Sequence, residues 1–308
     1  MIVRSRPTAL QLLYVMRGSV VPRILPRLIV IAVLSGVVVW LHREWPAYFP
    51  DYTAAPFALL GLALSIFLGF RNNACFDRWW EARRQWGQLI VELRSFGREI
   101  AALLPGTDPE TAALRRRMLH RGIAYAYALA DSLRATAHGA ELTRYLEPEE
   151  HRRMTASRGH PDTLVREMAA DLAACLRDRR FGDIIYQGLV GHLTAISGIQ
   201  AACERIRHTP LPFAYTLLLH RTAYLFCLLL PFGLVDNLGF ATPLVAAIVA
   251  YTFFGLDELG DELEEPFGLA QNDLPVKAMA RMIEISLLET LGETDIPEPL
   301  LPKNYVLH

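Results

Sequence analysis

Charge of one sign is what this 308-residue sequence lacks overall: 31 Lys and Arg against 32 Asp and Glu give a formal net charge of −1. Without a basic excess, nothing in the composition points to nucleic acid. Cysteine is sparse, and Cys75, Cys175, Cys203 and Cys227 form neither a CxxC pair nor a metal-finger spacing. Unpaired thiols in a reducing compartment are therefore expected. The sequence has no phosphate loop, GxGxxG, HExxH or GxSxG pattern, which argues against the enzyme classes those motifs serve. No small-residue cleavage site follows the first apolar block, so a removable leader is not expected. No internal repeat or low-complexity tract is apparent either.

Long apolar runs are what it does have. Hydrophobic residues make up 52% of the chain and the mean hydropathy is +0.23. That is only slightly above the level of soluble domains, so the distribution carries the information. Apolar residues concentrate at Leu28–Leu41, Pro56–Phe70, Leu211–Val235 and Leu238–Leu256, while 71–210 holds most of the Arg. A spanning helix needs about 20 mostly apolar residues. The first block gains length from Val20, Val21, Ile24 and Leu25, and Trp40 and Trp45 suit an interfacial belt. The fourth ends at an acidic run. Four spans are expected, against the alternative of buried core helices in a soluble protein.

Orientation follows the Lys and Arg distribution. Arg4, Arg6, Arg17, Arg23 and Arg27 precede the first span, and Arg71, Arg78, Arg83 and Arg84 follow the second. The link between spans one and two carries only Arg43, and the link at Asp236-Asn237 carries no basic residue. Both short links are then outside, with both termini and 71–210 cytoplasmic. The expected organisation is 1–70 for the N-terminal segment and spans one and two, 71–210 for a cytosolic helical region, 211–256 for spans three and four, and 257–308 for a cytosolic C-terminal segment.

The polar middle reads as helices over 72–104, 109–136, 141–154, 162–180 and 183–207. Pro105-Gly106 breaks the first, and Asp108-Pro109 caps the second. Leu89, Leu93, Phe96 and Ile100 recur at helical spacing and predict a buried face.

Two stripes run through the second span. Gly61, Ser65 and Gly69 form a small-xxx-small pattern that permits close helix approach. Leu62, Ile66 and Phe70 stack on an adjacent stripe. From spacing alone the large residues either line a pore, where apolar rings gate by dewetting, or face lipid or a partner helix. His220 and Arg221 lie inside the third span, where ionisable groups need partners. Pairing inside the subunit is the preferred expectation, over an ion-binding role. Asp257, Glu258, Asp261, Glu262, Glu264 and Glu265 have carboxylates at helical spacing. They are read either as a helix end with basic partners or as weak metal candidates, chiefly Asp257, Asp261, Glu262 and Glu265.

The words GFRNN at 69–73, RWWEAR at 78–83 and WGQL at 86–89 resemble the second-span signature of bestrophins, particularly prokaryotic ones. CERI at 203–206, TPLPFAYTLLLHRTAYLF at 209–226 and EEPFG at 264–268 follow in the family's order. The likeness extends over nearly the whole chain and is weakest from about 105 to 180. It implies an all-α integral membrane protein, pentameric, with four spanning helices per subunit, a helical cytosolic part and one axial pore. It also implies a multi-pass place in the plasma membrane, the inner membrane if bacterial. The family's pore neck falls on Leu62, Ile66 and Phe70, and a cytosolic constriction falls near Ile184. Asn72 and Asn73 stand at the cytoplasmic end of the neck, either beside the ion or capping and linking helices.

No cofactor is implied. The calcium clasp of animal members is altered here, with Glu265 in the Asn position and Ala270-Gln271 replacing acids, which argues against calcium gating. The expected activity is conduction of monovalent ions, sodium or potassium narrowly ahead of chloride, by a homo-oligomer in a lipid bilayer. Competing expectations are a non-conducting scaffold recruiting partners through 105–180, and a membrane-bound metal enzyme built on 257–265 with His208 or His220.

Overall fold

The computed structural model describes residues 1–4, 8–48, 55–137, 139–157 and 160–307. Arg6, the Arg158-Gly159 break and most of the link between the first two spans lie outside the described residues. The described elements are helical: α1 (Ala9–Tyr14), α2 (Val21–Glu44), α3 (Ala55–Leu103), α4 (Pro109–Arg134), α5 (Ala140–Tyr145), α6 (Pro148–Ala156), α7 (His160–Arg177), α8 (Asp183–His208), α9 (Phe213–Leu238), α10 (Thr242–Glu264) and α11 (Val276–Leu291). Val21–Glu44, Ala55–Leu103 and the stretch Phe213–Glu264 are long and apolar enough to cross a membrane. A bend at Gly239, whose φ is +48°, separates α9 from α10. Glycine adopts that left-handed backbone without penalty.

The chain divides into two compact units. One comprises Ser5–Trp79 and Pro210–Pro266, the other Met1–Arg4, Trp80–Thr209 and Phe267–His308. In the first of these, α10 does not stop at its acidic run. It stays helical through Asp257, Glu258, Asp261, Glu262 and Glu264. Glu has good helix propensity, and these acids find cations on neighbouring helices.

The apolar unit packs α2, the first part of α3, α9 and α10. Its core joins Ile24 and Ile31, Leu64 and Leu68, Ala223, Phe226 and Leu230, and Ala250 and Phe254. Hydrophobic burial does not hold helices together in lipid, so close fit and polar links must do so. Gly61 shows the fit: a Cβ there would lie 3.1 Å from the Phe226 ring. At the far end His42 Nε2 meets Asp236 Oδ1 at 2.7 Å, tying α2 to α9.

The polar unit has a water-driven core. Leu89, Leu93, Phe96 and Ile100 of α3 are buried as the spacing predicts, and Met118, Ile123 and Leu129 of α4 join them. Asp108 caps α4, its carboxylate accepting from Thr111 N at 2.9 Å, which holds the Asp108 carboxyl below its usual range. The stretch read as one helix over 141–154 is split into α5 and α6, because Pro148 takes the first position of a new helix after Glu147. In the core Glu284 of α11 accepts from Tyr127 Oη and Tyr145 Oη, each at 2.5 Å, and faces Arg281 at 2.7 Å. A carboxylate this buried requires such partners. The four cysteines are buried and unpaired, and burial pushes the Cys203 thiol up to about 12.

His192 of α8 lies between two carboxylates of α3. Nδ1 sits 2.7 Å from Glu92 Oε2 and Nε2 sits 3.1 Å from Glu99 Oε1. Both contacts are hydrogen bonds only if both ring nitrogens carry protons. Burial alone would lower the His192 pKa, but the two glutamates raise it above 6.5. A raised folded-state pKa adds stability below the unfolded value, and that stability is lost as pH rises through the folded value. Thermal melts of the purified protein should therefore fall as pH rises above 6.5, and His192→Gln should flatten that part of the profile. An unchanged profile in the variant would remove His192 as its source.

Candidate functional site

Two features stand out in the apolar unit: an open stripe along α3, and a buried ion network against α10. On α3 the residues turned into the bundle are Leu64, Leu68, Arg71 and Cys75, all 0–2% exposed. Residues two apart on a helix lie about 200° apart, so Leu62, Ile66 and Phe70 face away from the bundle. They are 61%, 49% and 62% exposed. Each four-residue step rises about 6 Å and turns about 40°, making a continuous apolar strip. Ser65 beside it returns its hydroxyl to the Gly61 carbonyl at 2.8 Å. A Cβ at Gly69 would meet nothing within 4 Å. The small residues thus divide: Gly61 accommodates a helix of its own chain, while Gly69 is open.

The two asparagines also divide. Asn73 is exposed and, seven residues beyond Ile66, returns to within about 20° of its azimuth. Asn72 turns towards α10. Its Oδ1 is buried without a hydrogen-bond partner among the described residues, and a Cβ on Gly260 would lie 2.7 Å from it. Gly260 is where α10 offers bare backbone to α3. Ile184, near the start of α8 in the polar unit, is 88% exposed.

The ion network gathers around Arg71, whose side chain is fully buried. Its Nη1 donates to the Asp257 carbonyl and to Asp257 Oδ1, both at 3.1 Å. Nη2 donates to Asp261 and lies 3.4 Å from Glu264 Oε2. His220 Nδ1 meets the other Asp257 oxygen at 2.5 Å. Glu258 pairs with Arg23 and Arg27 of α2 at 3.4 and 3.3 Å, and Glu262 with Arg23 at 3.0 Å. The Glu264 carboxylate accepts from Leu211 N at 3.0 Å, and its carbonyl accepts from Arg78 Nε at 2.7 Å. α10 therefore supplies counter-charges to α2, α3 and α9 together.

The four weak metal candidates do not form one cluster. Asp257 and Asp261 share Arg71 and His220, Glu262 faces Arg23, and Glu265 is exposed. Among the described residues no group of three His, Cys, Asp or Glu is placed to hold a metal ion. His220 finds the partner expected of it inside the subunit. Arg221 does not: its exposed side chain makes no hydrogen bond or ion pair among the described residues.

The model of the Bacterial/Fungal Bestrophin protein family matches residues 1–289. The chain belongs to the bestrophin family. Membership makes it a channel-forming membrane protein and not an enzyme. A voltage-dependent anion channel-forming protein of Mesorhizobium japonicum is 47% identical over 306 residues, covering 98% of this chain and 95% of the relative. The anion channel-forming protein YneE of Escherichia coli K12 is 41% identical over 305 residues, 99% of each chain. The crystal structure of a bacterial bestrophin homologue from Klebsiella pneumoniae superposes with a TM-score of 0.84. It is 37% identical and covers 88% of this chain and 99% of that one.

Sequence reasoning found the stripe and located the acids of the network. It did not pair them with Arg23 and Arg27, which were read only as orientation signals. The readable clue was spacing: Arg23 and Arg27 on one side, and Glu258 and Glu262 on the other, both run i, i+4.

Proposed function

We propose that copies of this chain surround an axis as a homopentamer, with the Leu62, Ile66 and Phe70 stripes of α3 forming an apolar neck through which monovalent ions pass. The observation that carries this reading is the stripe, open along its length on a helix whose opposite face is buried. Apolar side chains on a spanning helix also suit lipid. The open Gly69 alongside favours a neighbouring helix instead, because small residues let backbones approach closely. Arg221 supports assembly independently. An unpaired guanidinium on a spanning helix is costly in hydrocarbon, and a second copy would cover it.

Each subunit crosses the membrane four times, by α2, α3, α9 and α10, with both termini and the polar unit on the cytoplasmic side. Arg23, Arg27 and Arg71 at one end of these helices agree with the positive-inside rule. Ile184 contributes a second, cytosolic constriction. The relatives' names favour small anions such as chloride as the permeant. The conductance of cations narrowly preferred from sequence keeps one structural argument, given below.

Recording purified oligomers in planar bilayers under a potassium chloride gradient tests the reading. Currents reversing near the chloride equilibrium potential are expected. Reversal near the potassium value would make the channel cation-selective, and silence from verified pentamers would leave a non-conducting scaffold.

A further inference from the structure

The exposed stripe on α3 does not end at Asn73. Asp77 is seven residues beyond Phe70 and returns to within about 20° of its azimuth, about 10.5 Å further along the axis. It is exposed, and it makes no hydrogen bond or ion pair among the described residues. Of the exposed carboxylates of the apolar unit with no such partner, Glu44 and Glu265 lie at the ends of α2 and α10, and Asp77 is the one that continues the stripe of α3. Asp257, Glu258, Asp261, Glu262 and Glu264 are each held by Arg or His, and Asp236 is held by His42. The neighbouring Arg78, one residue on, is turned to the Glu264 carbonyl on the buried side of the helix. The stripe thus reads, in order, three apolar side chains, one amide and one free carboxylate.

We infer that Asp77 is a specificity-determining residue of the pore, its carboxylate facing the ion path below the apolar neck and drawing cations towards it. The inference rests on the pore reading of Leu62, Ile66 and Phe70. An apolar neck senses size and hydration and is indifferent to the sign of the charge that crosses it. Sign discrimination must come from fixed charges near its mouth. One such carboxylate per subunit, repeated around the axis, makes a ring of negative charge with no counter-ion among the described residues of its own chain. Such a ring concentrates cations and repels anions, and low-dielectric walls strengthen the effect. The carboxylate therefore opposes the anion preference named for the relatives, and its removal makes the channel more anion-selective.

The experiment measures reversal potentials of Asp77→Asn and Asp77→Glu oligomers beside the wild type in bilayers under a salt gradient. Ile66→Ala is recorded alongside. Asp77→Asn should move the reversal potential towards the chloride value, raising the chloride-to-potassium permeability ratio about tenfold, the low end of such steering. Asp77→Glu should keep the wild-type value, which separates charge from shape. An unshifted Asp77→Asn potential in a channel whose conductance still responds to Ile66→Ala would overturn the role of Asp77 and leave the neck intact. If neither variant changes the current, the stripe is not the pore, and the reading beneath the inference falls with it. If Asp77→Asn breaks the pentamer while Asp77→Glu preserves it, Asp77 is a subunit-contact residue and the inference is overturned.

Discussion

Replacing Arg71 with Met should unfold the apolar unit or scatter its oligomers, with a loss of about 3–5 kcal/mol, the usual cost of removing one partner from a buried ion pair. The side chain of Arg71 and that of Asp257 are both fully buried. Met fills similar space but leaves Asp257 and Asp261 to share His220 among the described residues, and takes from Glu264 its ion-pair partner. The arrangement gains little from hydrophobic contact in lipid, so few other terms compensate. Arg71→Lys should recover only part of the loss. One ammonium cannot reproduce a planar fork that reaches the Asp257 carbonyl and three carboxylates. Thermal unfolding and size-exclusion profiles in detergent measure both. An Arg71→Met protein that melts with the wild type would show that the network contributes no net stability.

Replacing Ile66 with Ala should leave assembly intact and raise ion flux. Ile66 is half exposed and its neighbours on the stripe are exposed as well, so its side chain contributes little to packing within the subunit. At the centre of the proposed neck it should have a large effect, because removing three carbons from every copy would widen the constriction and let water enter. Lowering the barrier to ion passage by about 1.4 kcal/mol multiplies the rate about tenfold. Vesicle flux or single-channel conductance reads the change directly. Normal assembly with unchanged flux would move Ile66 to a lipid-facing surface.

The fold was readable in proportion to how local its causes are. The apolar runs marked α2, α9 and the first part of α3 to within a few residues, because bilayer thickness fixes their length. The cap at Asp108 and the break at Pro105-Gly106 marked the turn into α4 for equally local reasons. The helical spacing of the α10 acids was readable, but the cations they meet on α2 and α9 were not. A dense acidic run resembles a solvated helix end until the cations of α2, α3 and α9 are placed around it. α11, not singled out beforehand, carries Val276, Ala280, Ile283 and Leu287 as a buried face, but in a segment read mainly for its loop. The site behaved similarly. Spacing predicted the stripe of Leu62, Ile66 and Phe70, since one helix determines it. It left Asn72 and Asn73 equivalent, although a single residue's rotation sends one against Gly260 and the other onto the open face. Nor could it separate His220 from Arg221, because their fates depend on whether Asp257 lies on their side.

The placement of every network carboxylate on α10 has a consequence for the order in which the protein is made. Arg23, Arg27, Arg71 and His220 all leave the ribosome before the residues that neutralise them. Until Asp257 has emerged, α2, α3 and α9 carry cations with no acidic counterpart from α10. The ion network can close only when α10 arrives. A nonsense mutation shortly before Asp257 would thus yield a chain with its apolar helices nearly complete and these charges without their α10 partners.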